Sequence, residues 1–225
     1  MTAPLLHCRE LQCVRPLWRE GASHVRGINA EFEAARFHAI SGGDGCGKNL
    51  LLHLLGLLEQ PDHGEVWLGK TSATALAPTA RDNLRQRHFG FLFPACALLP
   101  SLSVLENIAF PILKSGDRDE AEQAELTLAA LQFCGLENVA EQAVGNLRPE
   151  DQSVIALGRA IVHRPLLLIA ESPGAEEILA PLARRLVDDW DMTVIWGTRP
   201  DGPAAGLADR VWPMEAGQWC EAPAQ

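Results

Sequence analysis

Residues 37–58 read FHAISGGDGCGKNLLLHLLGLL. A short apolar run (Phe37, Ala39, Ile40) leads into Gly42-Gly43-Asp44-Gly45-Cys46-Gly47-Lys48-Asn49 and then into a leucine-rich stretch. G-x-x-x-x-G-K between a strand and a helix is the P-loop arrangement, whose chemistry is polyphosphate binding. Glycines let successive backbone N–H groups curl round an anion. The helix starting near Lys48 adds its positive dipole end, and the Lys48 ammonium reaches for the β- and γ-phosphates. Residues Gly42, Gly43, Asp44, Gly45, Cys46, Gly47, Lys48 and Asn49 are therefore the candidate polyphosphate site. Asn49 departs from the motif. A Ser or Thr hydroxyl is wanted there for Mg²⁺, and the Asn49 amide oxygen is a larger, neutral and less well-placed ligand. Cys46 reads as a small loop filler.

The elements that must position this loop follow from patterning. Segments 5–11 and 25–32 alternate like paired strands and predict a small antiparallel layer before the P-loop strand. Residues 61–69 (PDHGEVWLG) read as a turn and a short strand. Residues 87–93 form an apolar strand that Pro94 must end, because proline has no N–H for the ladder. From 103 to 136 the pattern is helical, with apolar positions such as Leu126, Leu128, Leu131 and Phe133. A helix is expected over 151–163, a strand buried on both faces over 165–170, a helix over 176–190, a strand over 192–197 and a terminal strand near 210–213. Strands alternating with helices predict an α/β fold with a largely parallel sheet.

Composition narrows the function classes. The 225 residues with 47% hydrophobic content can bury one full core. A formal charge of −10 argues against nucleic acid or an anionic lipid surface as partner, since both are themselves negative. The start of the chain has no apolar core after a basic stretch, and the leucine run at 50–58 is interrupted by His53 and too short to span a bilayer. The expected location is cytosolic unless a partner holds the chain at a membrane. Six cysteines without a C-x-x-C, and seven histidines without a ligand-spaced pair, argue against zinc and disulfides.

The order of segments resembles, over nearly the whole chain, the nucleotide-binding subunit of an ATP-binding cassette (ABC) transporter. The run Phe89-Gly90-Phe91-Leu92-Phe93, followed by Leu98-Leu99-Pro100, Ser103-Val104-Leu105-Glu106-Asn107-Ile108 and Pro111, resembles the branch serving lipoprotein release and macrolide efflux. The resemblance implies a P-loop NTPase (RecA-like) core with an antiparallel β-subdomain, covering 1–93 and 152–225, and a helical insertion subdomain over 94–151. It also implies that nearly every functional motif is altered. The adenine-stacking aromatic aligns with Arg15, with Trp18 as a displaced substitute. The metal-contacting glutamine after Phe93 is Pro94. The LSGGQ clamp for the partner's γ-phosphate aligns with Leu147-Arg148-Pro149-Glu150-Asp151, where carboxylates face the position of phosphate and repel it. Those carboxylates instead suit the dipole of their own helix.

The metal-organising aspartate of the family aligns with Glu171 and the catalytic glutamate with Ser172, which cannot polarise a water. A shifted alignment puts Glu171 in the catalytic role and Ala170 in the metal role, but Pro173 matches the family's proline only in the first alignment. Losing a general base costs on the order of 10²–10⁴ in rate. The aspartate-bearing loop is missing between Ala175 and Glu176, and the histidine after Thr198 is Arg199. The expectation is a degenerate ATP-binding subunit with no catalytic residue, weak ATP binding, and Mg²⁺ doubtful but assigned to Asn49 and Glu171. Its expected partners are an integral-membrane permease and a second ABC ATPase subunit, which would place it on the inner face of the cell membrane. Two alternatives stand beside it: a working ATPase in which Asn49 and Glu171 jointly hold Mg²⁺, and a soluble nucleotide-dependent regulator.

Overall fold

The computed structural model describes residues 4–16, 22–95, 97–116, 118–171 and 174–220. The chain opens with two long antiparallel strands, β1 (Leu6–Pro16) and β2 (Ala22–Phe32). Along β1 the residues Leu6, Cys8, Leu11 and Cys13 are buried, so strict alternation fails between Cys8 and Leu11. The register slips there and Glu10 takes φ 48°, a bulge that returns Leu11 and Cys13 to the inner face. β3 (Phe37–Ser41) follows, then α1 (Lys48–Leu55), β4 (His63–Leu68) and the two-residue β5 (Thr71–Ser72). β4 and β5 complete a four-stranded sheet in the order β2-β1-β4-β5.

The second sheet is the parallel one expected from the apolar runs. After α2 (Pro78–His88) comes β6 (Phe89–Leu92). The helices α3 (Val104–Ser115), α4 (Glu120–Cys134) and α5 (Pro149–Ile161) precede β7 (Leu167–Glu171). α6 (Glu176–Trp190), β8 (Thr193–Thr198), α7 (Pro203–Leu207), β9 (Arg210–Glu215) and β10 (Gln218–Trp219) close the chain. The order is β10-β9-β3-β8-β7-β6, parallel from β9 to β6, with β10 folded back antiparallel on the edge. Every residue of β3 and β8 is buried, as a sheet covered on both faces requires.

The two faces carry separate apolar cores. On one, Leu51, Leu52, Leu54 and Leu55 of α1 pack with Ile40, Ile169 and Ile195 of the parallel sheet and with Leu6, Val25 and Ile28 of the antiparallel layer. On the other, Phe37, Leu168, Val194 and Trp196 lie under α3, α5 and α6. The 94–151 segment shares this second core rather than building its own.

Three expectations change in detail. Residues 78–86, read as no element, and Arg87 and His88, read as strand, form α2. They are almost wholly polar, so periodicity is silent, but Pro78 sits in the first turn and fixes the helical φ. Arg87 and His88 consequently belong to that helix, and the strand is confined to β6. α5 starts at Pro149 for the same reason, two residues before the acidic start expected. Leu128, expected on the apolar face of α4, is 51% exposed, while Leu131 and Phe133 are buried.

Local chemistry fixes the entry to α3. The hydroxyl of Ser103 accepts from the Glu106 N–H at 3.1 Å, and the Glu106 carboxylate accepts from the Ser103 N–H at 2.7 Å, a reciprocal capping box. Asn107, 1% exposed, pins the preceding loop: its Oδ1 accepts from the Leu99 N–H at 2.8 Å, and its Nδ2 faces the carbonyls of Leu99, Leu102 and Ser103. Truncating it removes the bonds that hold the backbone of residues 99–103. Asn107→Ala is expected to cost about 2–3 kcal/mol in urea unfolding, against about 1 kcal/mol for the exposed cap change Ser103→Ala.

Candidate functional site: a P-loop facing a closed carboxylate cluster

β3 delivers the chain to the loop, and the loop is held from both sides. The Gly42 N–H donates to the Thr198 carbonyl at the end of β8 (3.1 Å), and the Gly217 N–H donates to the Cys46 carbonyl (2.8 Å). Gly47 sits at φ 100°, where a Cβ would run into the His24 carbonyl oxygen, so only glycine closes the turn. The Cys46 side chain is buried beneath Gly42, the filler role expected of it. Among the described residues, the backbone N–H groups of Gly43, Asp44, Gly45 and Gly47 donate to no protein acceptor. Lys48 is 5% exposed, and its ammonium donates to the carbonyls of Gly42 (3.1 Å) and Gly43 (3.2 Å). Loop N–H groups without a protein acceptor at the start of a helix, beside a buried lysine ammonium, suit an anion.

Beside that loop the structure brings Asn49 and Glu171 together, as the motif alignment implies, but as hydrogen-bond partners. Nδ2 of Asn49 donates to Oε1 of Glu171 at 2.7 Å. Oε2 of the same carboxylate lies 2.7 Å from Nε2 of His53. Asn49 and His53 are four residues apart, so one face of α1 presents both side chains to the end of β7. Phe93 covers the imidazole edge-on, with ring centroids 6.1 Å apart. The bond to Glu171 raises the His53 pKa above its usual value, against the opposing effect of burial.

These residues do not fit a hydrated Mg²⁺, which wants oxygen ligands in near-octahedral array. The hydroxyl is absent, Asn49 turns its amide N–H towards the carboxylate, and His53 takes the other oxygen. His53 was missed by sequence reading, although its i+4 spacing from Asn49 was available as a signal.

The remaining altered positions fall into two groups. Arg15 is tied down, with its guanidinium bonded to Glu59 (3.2 Å), Asp62 (2.9 Å) and the Gln60 carbonyl (2.6 Å). That latch, led by the Asp62 bond, raises its pKa further. Pro94, Pro149, Glu150, Gly174 and Ala175 line one cleft of about 900 Å³. There Arg148 forks onto Asp151 (3.0 and 3.1 Å), and Glu150 and Asp151 occupy the first turn of α5. Ala175 precedes α6 at φ 56° and has no side chain to cap it. Glu176 accepts from the Thr198 hydroxyl (2.6 Å) and the Ala204 N–H (3.1 Å), joining α6, β8 and α7. Arg199 lies exposed just beyond β8. Trp18, Ser172 and Pro173 lie outside the described residues.

Residues 25–175 match the family model described as ABC transporter. The chain belongs to the ABC transporter family. A lipoprotein-releasing system ATP-binding protein of Granulibacter bethesdensis is 36% identical over 84% of either chain, and its counterpart in Paramagnetospirillum magneticum is 32% identical over 94% of this chain and 96% of that one. A macrolide export ATP-binding/permease protein of Chlorobium luteolum is 30% identical over 96% of this chain but only 33% of its own length. These relatives bear out the branch suggested by residues 89–111. In fold, the cassette resembles the dimeric bacterial ABC transporter cassette MJ0796 (TM-score 0.84, 23% identity, covering 96% of this chain and 97% of that one). It also resembles cbiO1 of Clostridium perfringens (TM-score 0.85, 21% identity, covering 98% and 88%).

In this ABC cassette the His53–Glu171 contact has a pH signature. A histidine whose pKa is raised by folding contributes stability that is complete below its unfolded pKa of about 6.5 and is lost as pH rises through the folded value. His53→Gln removes the titration while keeping a donor. In urea unfolding, wild type is expected to exceed the variant by more at pH 6 than at pH 9; an equal margin at both would contradict the contact. Ala175→Gly relieves a left-handed alanine and is expected to stabilise by about 0.5–1 kcal/mol.

Proposed function

We propose that this cassette is a catalytically impaired ATP-binding subunit of an ABC transporter-like complex, serving it structurally or as a regulator rather than as a hydrolase. The observation that carries the reading is the occupied Glu171 carboxylate, held by Asn49 and His53. Beside it in sequence, Ser172 stands where the family places its catalytic glutamate. The clamp side supports the same reading. A proline supplies no N–H at position 149, and Glu150 adds negative charge where the partner's phosphate would come. With both halves of the composite site altered, an intact neighbour could not complete either one through the usual contacts.

The retained surface points to a membrane partner. A groove of about 1210 Å³ runs between α2, β6, α3 and α5 and is lined by Arg87, Phe91, Phe93, Phe110, Lys114 and Arg159, among others. Phe110 is 44% exposed on its rim. In the family, this region receives a helix of the permease. No helix of the described residues is long and apolar enough to cross a membrane, so attachment to the inner face would come through that permease. A second ABC ATPase subunit would supply turnover.

The test is a native pull-down from membranes in mild detergent, repeated with Lys48→Ala, alongside ATPase assay of the purified chain. A permease and an intact second cassette are expected with both wild type and Lys48→Ala, with no turnover above background by the chain alone. Turnover that disappears in Lys48→Ala would establish a working ATPase instead. Loss of the partners in that variant would favour a nucleotide-dependent regulator.

A further inference from the structure

The anion seat and the metal position give opposite readings, and their disagreement has a consequence. The seat consists of four backbone N–H groups between Gly43 and Gly47 that have no protein acceptor among the described residues, the first turn of α1, and a buried lysine whose ammonium donates to two loop carbonyls. A phosphate entering the loop can draw that ammonium away from Gly42 and Gly43 and exchange two neutral acceptors for a charged one. The ammonium's bonds are charge-assisted in either case, and the phosphate adds the attraction of an opposite charge.

The neighbouring metal position is closed by side chains of the chain itself. In an Mg²⁺-dependent P-loop the cation bridges the outer phosphates and neutralises the terminal one, so that a triphosphate gains from it. Here the carboxylate that would orient the cation already accepts from an amide and an imidazole. A terminal γ-phosphate would therefore meet the Glu171 carboxylate without a cation between them. A diphosphate ends short of that position and uses only the loop.

We propose that the P-loop of this cassette binds nucleoside diphosphate without a divalent cation, with the Asn49–Glu171–His53 cluster occupying the place of the metal. The loop supplies the attraction through its N–H groups and Lys48, and the cluster withholds the extra affinity that a triphosphate obtains elsewhere from Mg²⁺. Nucleotide then reports on the phosphate seat alone. The inference stands apart from the membrane role proposed above, since it concerns occupancy of the loop and not the partner.

Isothermal titration of the purified full chain with ADP and with ATP, each in excess EDTA and in excess Mg²⁺, tests it. ADP affinity is expected to change by less than about threefold between EDTA and Mg²⁺, with ATP no tighter than ADP in either. The double change Asn49→Ser with Glu171→Asp restores a hydroxyl and a shorter carboxylate, and is expected to make ATP binding at least about tenfold tighter in Mg²⁺ than in EDTA. Binding by wild type that requires Mg²⁺, an ATP affinity well above that for ADP, or no heat with either nucleotide would each overturn the proposal. The wild-type titrations decide it even if the double variant does not fold. A null titration alongside an intact pull-down would reject the diphosphate site and leave the structural role standing.

Discussion

The burial of α1 between two sheets is the constraint on which the rest of the molecule depends. Four of its leucines are fully buried, against the antiparallel layer on one side and the parallel sheet on the other. Burying each contributes about 1.5–3 kcal/mol relative to exposure, and together they outweigh any single contact of the loop. That packing sets the height and rotation of the helix. It thereby fixes where the Gly47 turn must close, where Lys48 enters the loop, and which face carries Asn49 and His53 to the end of β7. The P-loop conformation follows from a core contact, which is why it persists when the residues around it differ from the family pattern.

The same packing explains how the carboxylate cluster is stabilised. Glu171 ends a strand buried on both faces, and its side chain is only 14% exposed. A carboxylate in that position needs donors. An oxygen-binding cation would satisfy it in the usual arrangement, whereas here two side chains of α1 do so at 2.7 Å each. Hydrogen bonds to charged groups are worth about 1.5–3 kcal/mol apiece, so the cluster adds a polar tie between α1 and β7 on top of the apolar one. Phe93 shields the imidazole face of this tie. Opening it for a metal would mean breaking both bonds before the cation could gain its own.

Much of the fold was legible because burial writes itself into sequence. The continuous apolar runs of β3, β7 and β8, and the glycine loop between β3 and α1, leave few alternatives. What escaped was local. β1 continues past Leu11 because a bulge at Glu10 absorbs the break in alternation, and a period-two pattern cannot anticipate an inserted residue. α2 escaped because its helix is made by polar residues with no buried face. At the site, Lys48, Asn49 and Glu171 were each legible from the motif, but their mutual geometry was not. Whether an asparagine offers its oxygen to a metal or its nitrogen to a carboxylate depends on a side-chain rotation, and the neighbour that favours the second choice, His53, lay inside a leucine run and passed for a core interruption.

The distribution of the altered positions separates folding from chemistry. Asn49, Glu150 and Arg199 are exposed, Pro94 and Ala175 line an open cleft, and the Arg148–Asp151 pair lies at a helix start. None of them contributes to either apolar core. Apart from Asn49, whose bond to Glu171 ties α1 to β7, changes there cost little folding free energy, since surface substitutions away from caps and buried networks usually stay within about 0.5 kcal/mol. Several even acquire local uses: Arg15 latches the turn before β4, Asp151 holds Arg148, and Glu171 binds α1. A cassette can therefore carry other residues at these positions, some of which stabilise its own segments, while keeping the groove between α2, β6, α3 and α5. Folding draws on the two apolar cores, and the altered positions lie outside both.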